Sequence, residues 1–311
     1  MKKILAFAVT LAAAGASFAA QPLLSPAELK AQLGQPDLRV IDIRDPKAFG
    51  QGHIPGAVNA PYGKWRGPAS NPGVLPELPQ LTELVRSLGL GPATHAVVVS
   101  SGANATDFGA AARVYWTLKV LGLKELSLLN GGVKAWAGAG LPQDSAVAKV
   151  APSDYTPQID RSLVASGDEV LQDVNQGSAL LVDARPKDFY EGETRHVAAR
   201  LPGTLQGAVN VEYSKFFDGE ASGVLQPEKV KAAASVVDPK KPTVAFCNTG
   251  HWAATDWFAL SEVLGLKNVK LYPGSMVSWT QDPRALPMSN VPGRAKQLLI
   301  DARLWSDKTF K

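Results

Sequence analysis

A chain of 311 residues, 45% hydrophobic and 19% charged, is too long for one ordinary domain and too apolar to be disordered or fibrous. Its 32 Lys and Arg against 28 Asp and Glu leave a net charge of +4, and Lys2 and Lys3 supply two of those charges. The remainder is too small and too scattered for a nucleic-acid footprint. One cysteine excludes an intrachain disulfide.

The N-terminus reads as an address. Met1, Lys2 and Lys3 form a basic start, and Ile4 to Ala14 is apolar apart from Thr10. The small residues Gly15, Ala16, Ser17, Ala19 and Ala20 follow, interrupted by Phe18. Residues 1–20 therefore read as a secretory signal peptide cut after Ala19 or Ala20. The apolar run is shorter than the roughly 20 residues a membrane span needs, and no other segment approaches one. The expectation is an exported protein with no membrane association after cleavage, periplasmic if the cell is Gram-negative. A lone thiol in an oxidising compartment is marked as reactive.

The rest of the chain repeats itself. Ser25 and Glu28 have capping-box spacing with Pro26 in the first turn, and Ser166 and Glu169 have it again. Asp42 and Arg44 recur as Asp183 and Arg185, each Asp ending a short aliphatic run (Val40 and Ile41; Leu180 to Val182) that reads as a buried strand. Gly56 to Asn59 recurs as Gly207 to Asn210, and Val97 to Val99 as Val244 to Phe246. Leu121 and Leu123 recur as Leu264 and Leu266, and Asn130 through Trp136 as Pro273 through Trp279. The offset drifts from 141 to 151, 147 and 143, which places about ten extra residues near Glu191–Pro202 in the second copy. Helical spacing in Val114–Leu121 and Ala253–Leu264 alternates with the strands. That pattern predicts an α/β fold of two tandem domains, each a parallel sheet flanked by helices.

The expected boundaries are a first domain over 21–142, a linker over 143–157, a second domain over 158–285 and a tail over 286–311. The linker is rich in Ala, Ser, Asp and Pro and is expected on the surface. The tail is Pro-rich up to Pro292, and Lys296–Trp305 predicts a short terminal helix.

Cys247 follows the strand-like run Thr243 to Phe246 and opens the loop Asn248, Thr249, Gly250, His251, Trp252, ahead of a helix beginning near Ala253. In an open parallel sheet, ligands bind beyond the carboxyl ends of the strands. A thiol at a strand end and before a helix sits in positive potential, which favours the nucleophilic thiolate. Loop amides there can converge on an anion, and Gly250 permits the tight turn. The competing reading is an inert core cysteine, since cysteine is among the most buried residue types.

With these segments assembled, the chain resembles the tandem-domain rhodaneses, the thiosulfate and 3-mercaptopyruvate sulfurtransferases of exported bacterial type. The resemblance runs from about Leu24 to Trp279. It is carried by Asp42 to Arg44, by Gly52-His53-Ile54-Pro55-Gly56-Ala57-Val58-Asn59, by Leu129 to Gly132 with Trp136, by Val182 to Arg185 and by the Cys247–Trp252 loop. It implies a catalytic Cys247 that takes a sulfane sulfur from a small anionic donor as a persulfide. A thiophilic acceptor such as cyanide or a thiol then takes the sulfur. It implies donor contacts from Arg185, Asn248, Thr249, Gly250, His251 and Trp252, with Asp183 as structural support for Arg185; an ion pair of Arg185 with Asp183 or another carboxylate is the other reading, and the two are compatible. No cofactor and no metal are implied. The first domain has Ser100 to Asp107, without cysteine, where the loop would fall, and is expected to wall the cleft without catalysing.

Three departures bear on the donor. Asn248 and Thr249 are neutral where thiosulfate-type loops are basic. His251 and Trp252 are bulky where a Val-Thr pair is common, and Pro273 stands where many relatives have an acid. A partly protonated His251 would replace the missing cation; an exposed histidine without a role is the alternative. His53 reads as structural, His95 and His196 as isolated, and Trp136, Trp257 and Trp279 as core. No zinc spacing and no phosphate loop is present. A cysteine phosphatase would need Arg six residues after the nucleophile, and Ala253 stands there. A persulfide carrier that docks a protein partner, with weak or no turnover, remains as the alternative function.

Overall fold

The computed structural model describes residues 20–310, so the expected signal peptide lies outside the described residues except for Ala20. The first domain runs β1 (Leu23–Leu24), α1 (Pro26–Gln32), β2 (Leu38–Asp42), α2 (Pro46–Gln51), β3 (Val58–Asn59), α3 (Leu78–Ser87), β4 (His95–Val99), α4 (Ala105–Val120), β5 (Leu126–Leu129) and α5 (Gly132–Gly138). The second runs α6 (Gly167–Gln176), β6 (Leu180–Asp183), α7 (Lys187–Tyr190), β7 (Thr204–Leu205), β8 (Val209–Asn210), α8 (Pro227–Ala233), β9 (Thr243–Phe246), α9 (Trp252–Phe258), β10 (Val269–Leu271) and α10 (Ser275–Gln281). The tail adds β11 (Met288–Ser289) and α11 (Arg294–Phe310). Both capping boxes form, at Ser25 with Glu28 and at Ser166 with Glu169.

The first sheet has the order β1-β5-β4-β2-β3 and the second β10-β9-β6-β8, every pairing parallel. Side chains alternate between the two faces of each strand. Along β4, Val97 and Val99 enter an outer core with Leu29, Phe49 and Trp136, while Ala96 and Val98 enter a core shared by both domains. Along β9, Val244 and Phe246 face an outer core with Met276 and Trp279, and Ala245 and Cys247 face the shared one. Helices cover both faces of each sheet, as the strand–helix alternation predicts.

The shared core is a seam between α4 and α9. Phe108 and Tyr115 of α4 set their rings edge-on against Phe258 of α9, at 5.8 and 5.1 Å between centroids. The helical stretch expected over Ala253–Leu264 is not uniform: α9 gives way to a π-helical turn over Ala259–Val263, with the Leu264 amide reaching the Ala259 carbonyl at 3.0 Å. That turn carries Glu262, which accepts from Tyr115 Oη and Lys119 Nζ of α4, each at 2.7 Å.

The segment 143–157 is mostly exposed but is no free spacer. Asp144 exchanges both backbone hydrogen bonds with His53, at 2.8 Å each. Arg86 donates to the Tyr155 carbonyl at 2.7 Å, and Tyr155 Oη donates to the Leu121 carbonyl at 2.6 Å. The terminal helix is longer than the expected Lys296–Trp305. It is tied back to the extra segment of the second copy by the Arg195–Asp301 ion pair, 2.8 Å, and by Lys296 with Glu193. Among the described residues no helix is long and apolar enough to cross a membrane.

Candidate active site

Cys247 is the residue after β9, the inner strand of the second sheet, and strand alternation turns it toward the first domain. The loop that follows turns at Gly250, whose φ is +64°; a Cβ there would come within 2.7 Å of the Pro273 carbonyl. The fastener of the loop is Ser275, the first residue of α10, itself at a positive φ of 50°. Its hydroxyl accepts from the amides of Cys247 and Gly250, both at 3.1 Å, and donates to the Tyr272 carbonyl at 2.9 Å. The carbonyls of Cys247 and Asn248 accept from the amides of Met276 and Val277. Not every loop amide is therefore free to converge on an anion: that of Gly250 is spent on Ser275. The amides of Thr249, His251 and Trp252 form no hydrogen bond among the described residues.

The first domain grips this loop. Buried Arg113 of α4 donates to the Gly250 carbonyl at 3.1 Å and to the Gly73 carbonyl at 2.7 Å, and burial with Arg66 nearby lowers its pKa to about 9. Arg66, just after a short 3-10 turn over Tyr62–Trp65, donates through Nη2 to the Thr249 carbonyl at 2.9 Å. His251 Nε2 lies 2.8 Å from the Thr106 carbonyl, which can only accept, so that nitrogen carries the ring proton. Nδ1 is then the acceptor for Tyr62 Oη, 2.7 Å away. Gly109 leaves room for this ring, since a Cβ there would stand 3.0 Å from His251 Nε2.

Neither expectation for His251 holds. The ring is a half-buried link between the domains, and desolvation with Arg66 nearby pushes its pKa down to about 4, so it is neutral and supplies no cation.

Between the domains lies a cavity of about 240 Å³ lined by Arg66, Thr106, His196, Cys247, Asn248, Thr249, His251 and Trp252. Cys247 is only 1% exposed, yet it lines this cavity, so the thiol is reached through the cleft and not from the open surface. Trp252 forms an aromatic wall: it stacks on Tyr213 at 5.0 Å and 7°, takes Phe189 edge-on at 6.0 Å and donates to Thr106 Oγ1 at 3.2 Å. Asn248, Thr249, His251 and Trp252 are thus together, with Gly250 behind them. Sequence reasoning missed Arg66, Thr106 and His196. The ten-residue excess of the second copy was the one signal for His196, because it sits inside that excess.

Arg185 is placed elsewhere. It is buried, and its guanidinium forks onto Asp183, with Nη2 at 2.6 Å from Oδ2 and 2.8 Å from the Gly203 carbonyl. It meets the cysteine loop through Nη1 and Asn248 Oδ1, at 3.4 Å. It does not line the cavity. The first domain builds the same clamp from Arg44, Asp42 and the Gly52 carbonyl, at 2.6 and 2.8 Å, without any cysteine to serve. Asn59 and Asn210 brace the two clamps alike. The structure forms the ion pair and joins Arg185 to the cysteine loop through Asn248.

The remaining expectations divide. His53 is buried between the carbonyls of Phe49 and Ala146, a structural place, and Trp136, Trp257 and Trp279 are core residues. His196 is not isolated. Asp256 of α9 is fully buried with no hydrogen-bond partner on either oxygen, and burial, with Cys247, Asp183 and Glu212 nearby, raises its pKa well above the usual carboxylate value. Among the described residues no cluster of His, Cys, Asp and Glu could hold a metal.

A family model, the rhodanese-like domain, matches residues 25–139 and again residues 166–282. The thiosulfate sulfurtransferase of Azotobacter vinelandii is 30% identical over 269 residues, covering 86% of this chain and 97% of its own. The 3-mercaptopyruvate sulfurtransferase of Mus musculus is 29% identical over 249 residues, covering 75% and 78%. The crystal structure of SseA from Escherichia coli, a 3-mercaptopyruvate sulfotransferase, matches with a TM-score of 0.71 at 24% identity, over 82% of this chain and 98% of that one.

Proposed function

The chain belongs to the rhodanese-like family, and from that premise we propose that it is a sulfurtransferase whose working atom is the sulfur of Cys247. The observation that carries this reading is the place of Cys247. It lines an interdomain cavity at the carboxyl end of an inner parallel strand, and it is the one strong nucleophile in that lining.

The reaction runs in two displacements. In the first, the Cys247 thiolate attacks the outer sulfur of the donor, and a new S–S bond forms as the donor's bond to that sulfur breaks. From thiosulfate the electron pair leaves with sulfite. From 3-mercaptopyruvate it leaves on the methylene carbon as an enolate, which takes a proton and departs as pyruvate. In the second, a thiophilic acceptor such as cyanide or a thiol attacks the terminal sulfur and the Cys247 thiolate is returned. The unspent amides of Thr249, His251 and Trp252 are donors of the kind that disperse charge on a persulfide. The aromatic wall at Trp252 keeps water from the sulfur. We also propose export, on the strength of the N-terminal sequence.

Incubation with thiosulfate or 3-mercaptopyruvate, followed by peptide mass spectrometry, is expected to find one added sulfur atom on Cys247. Cys247→Ser is expected to fold, since no disulfide is lost, and to transfer no sulfur. Substantial transfer by that variant would overturn the mechanism. An adduct obtained only from a protein persulfide would replace it with the carrier reading.

A further inference from the structure

We propose that Arg66 of the first domain and His196 of the extra segment form the subsite that receives the donor's anionic end, a single carboxylate, and so set donor preference; this rests on the sulfurtransferase reading above. Both residues line the cavity that Cys247 lines. Arg66 uses Nη2 on the Thr249 carbonyl, while Nη1 is buried without an acceptor. A buried guanidinium nitrogen left unpaired is costly, so a ligand that supplies the acceptor is favoured.

His196 offers the second donor. Its Nδ1 accepts the Ala198 amide at 3.2 Å, so in the neutral ring the proton is on Nε2, which has no acceptor among the described residues. Burial and the neighbouring Arg66 and Arg195 favour that neutral ring. Its backbone is held by Arg195, which binds the carbonyls of His196 and Ala199 and pairs with Asp301 of α11.

The charge count then selects the donor. The other two buried arginines at the loop are committed, Arg113 to carbonyls and Arg185 to Asp183. His251 is neutral, as established above. One guanidinium and one imidazole N–H match a monoanionic carboxylate beside a keto oxygen. Thiosulfate, a dianion, would carry a second charge into the cleft with no cation lining it to meet it. The preference therefore falls on α-keto acid thiols such as 3-mercaptopyruvate.

Steady-state kinetics with both donors test this in wild type, Arg66→Ala, Arg66→Lys and His196→Ala. Arg66→Ala is expected to raise the KM for 3-mercaptopyruvate about ten-fold or more, the scale of one charged hydrogen bond. Arg66→Lys should recover part of that loss. His196→Ala, which leaves the Thr249 contact intact, should raise KM by several-fold. Transfer to cyanide from persulfide enzyme prepared beforehand should fall by clearly less than loading from 3-mercaptopyruvate does in each variant, a split that a general loosening of the loop would not produce. Unchanged KM in Arg66→Ala and His196→Ala, with sulfur still loaded on Cys247, overturns the subsite alone. A wild type that prefers thiosulfate overturns the charge match. Absence of sulfur on wild-type Cys247 overturns the function and the subsite with it.

Discussion

Tyr62 Oη and His251 Nδ1 stand 2.7 Å apart, so a phenol of one domain donates its proton to an imidazole in the Cys247 loop of the other. The bond needs a neutral ring, and the His251 pKa of about 4, below the ordinary 6.5, keeps it neutral. The unfolded chain takes up a proton that the folded one refuses. The His251 contribution to stability is therefore complete above pH 6.5 and is lost as pH falls toward about 4, by at most about 1.4 kcal/mol per pH unit, against the opposite slope from Asp256. Urea unfolding at a series of pH values checks this. His251→Gln, which can make both contacts without titrating, should flatten that part of the profile.

Ser275 holds the Cys247 loop and does not line the cavity. Ser275→Ala leaves the amides of Cys247 and Gly250 unpaired in a buried place, at a cost of about 1–3 kcal/mol. Loading of sulfur on Cys247 should slow at least ten-fold. Ser275→Gly relieves the positive φ but also lacks the hydroxyl, so it should slow loading as well. Stopped-flow loading rates of the two variants decide whether the hydroxyl is what matters.

Both oxygens of Asp256 are buried without a partner, and burial raises its pKa well above the usual carboxylate value. The unfolded chain ionises it near pH 3.8 and the folded chain only at higher pH, so this residue lowers stability as pH rises between the two. Asp256→Leu, of similar volume and without the polar atoms, should raise the urea midpoint at neutral pH by the equivalent of about 1–3 kcal/mol. The slope of m should be unchanged. A lower midpoint would mean that Asp256 has a partner that this arrangement hides.

The Ala20 nitrogen lies 2.8 Å from a Glu125 carboxylate oxygen. Cleavage after Ala19, with small Ser17 two residues before Ala19, would make that nitrogen an ammonium and the contact an ion pair. Cleavage after Ala20 would put Phe18 at the same place, a poorer fit. On the proposed export, the mature protein is expected to begin at Ala20 by intact mass. Glu125→Gln should lower its stability by about 0.2–1 kcal/mol, as expected for a partly exposed pair.

The sequence carried what is periodic. Two capping boxes, the Asp-x-Arg pairs and the aliphatic strands were legible because local spacing determines caps, clamps and strand faces. Cys247 was legible because it ends such a strand. Arg66 and Thr106 were not, because they reach the cavity from 181 and 141 residues before Cys247 in the chain, and only the α4–α9 packing brings them there. His251 was misjudged for the same reason: the neighbours that deprotonate it belong to the other domain. Ser275 lay within a repeat that had been noticed, but nothing in the spacing says that its hydroxyl fills the hub of the loop.

The aromatic seam of Phe108, Tyr115 and Phe258 has one further result. Two copies of a repeated unit share one core, and the copy without a thiol brings Arg66 and Thr106 into the lining of the cavity that Cys247 reaches. The cavity beside Cys247 is therefore walled by side chains from both halves, and the second half alone does not enclose it.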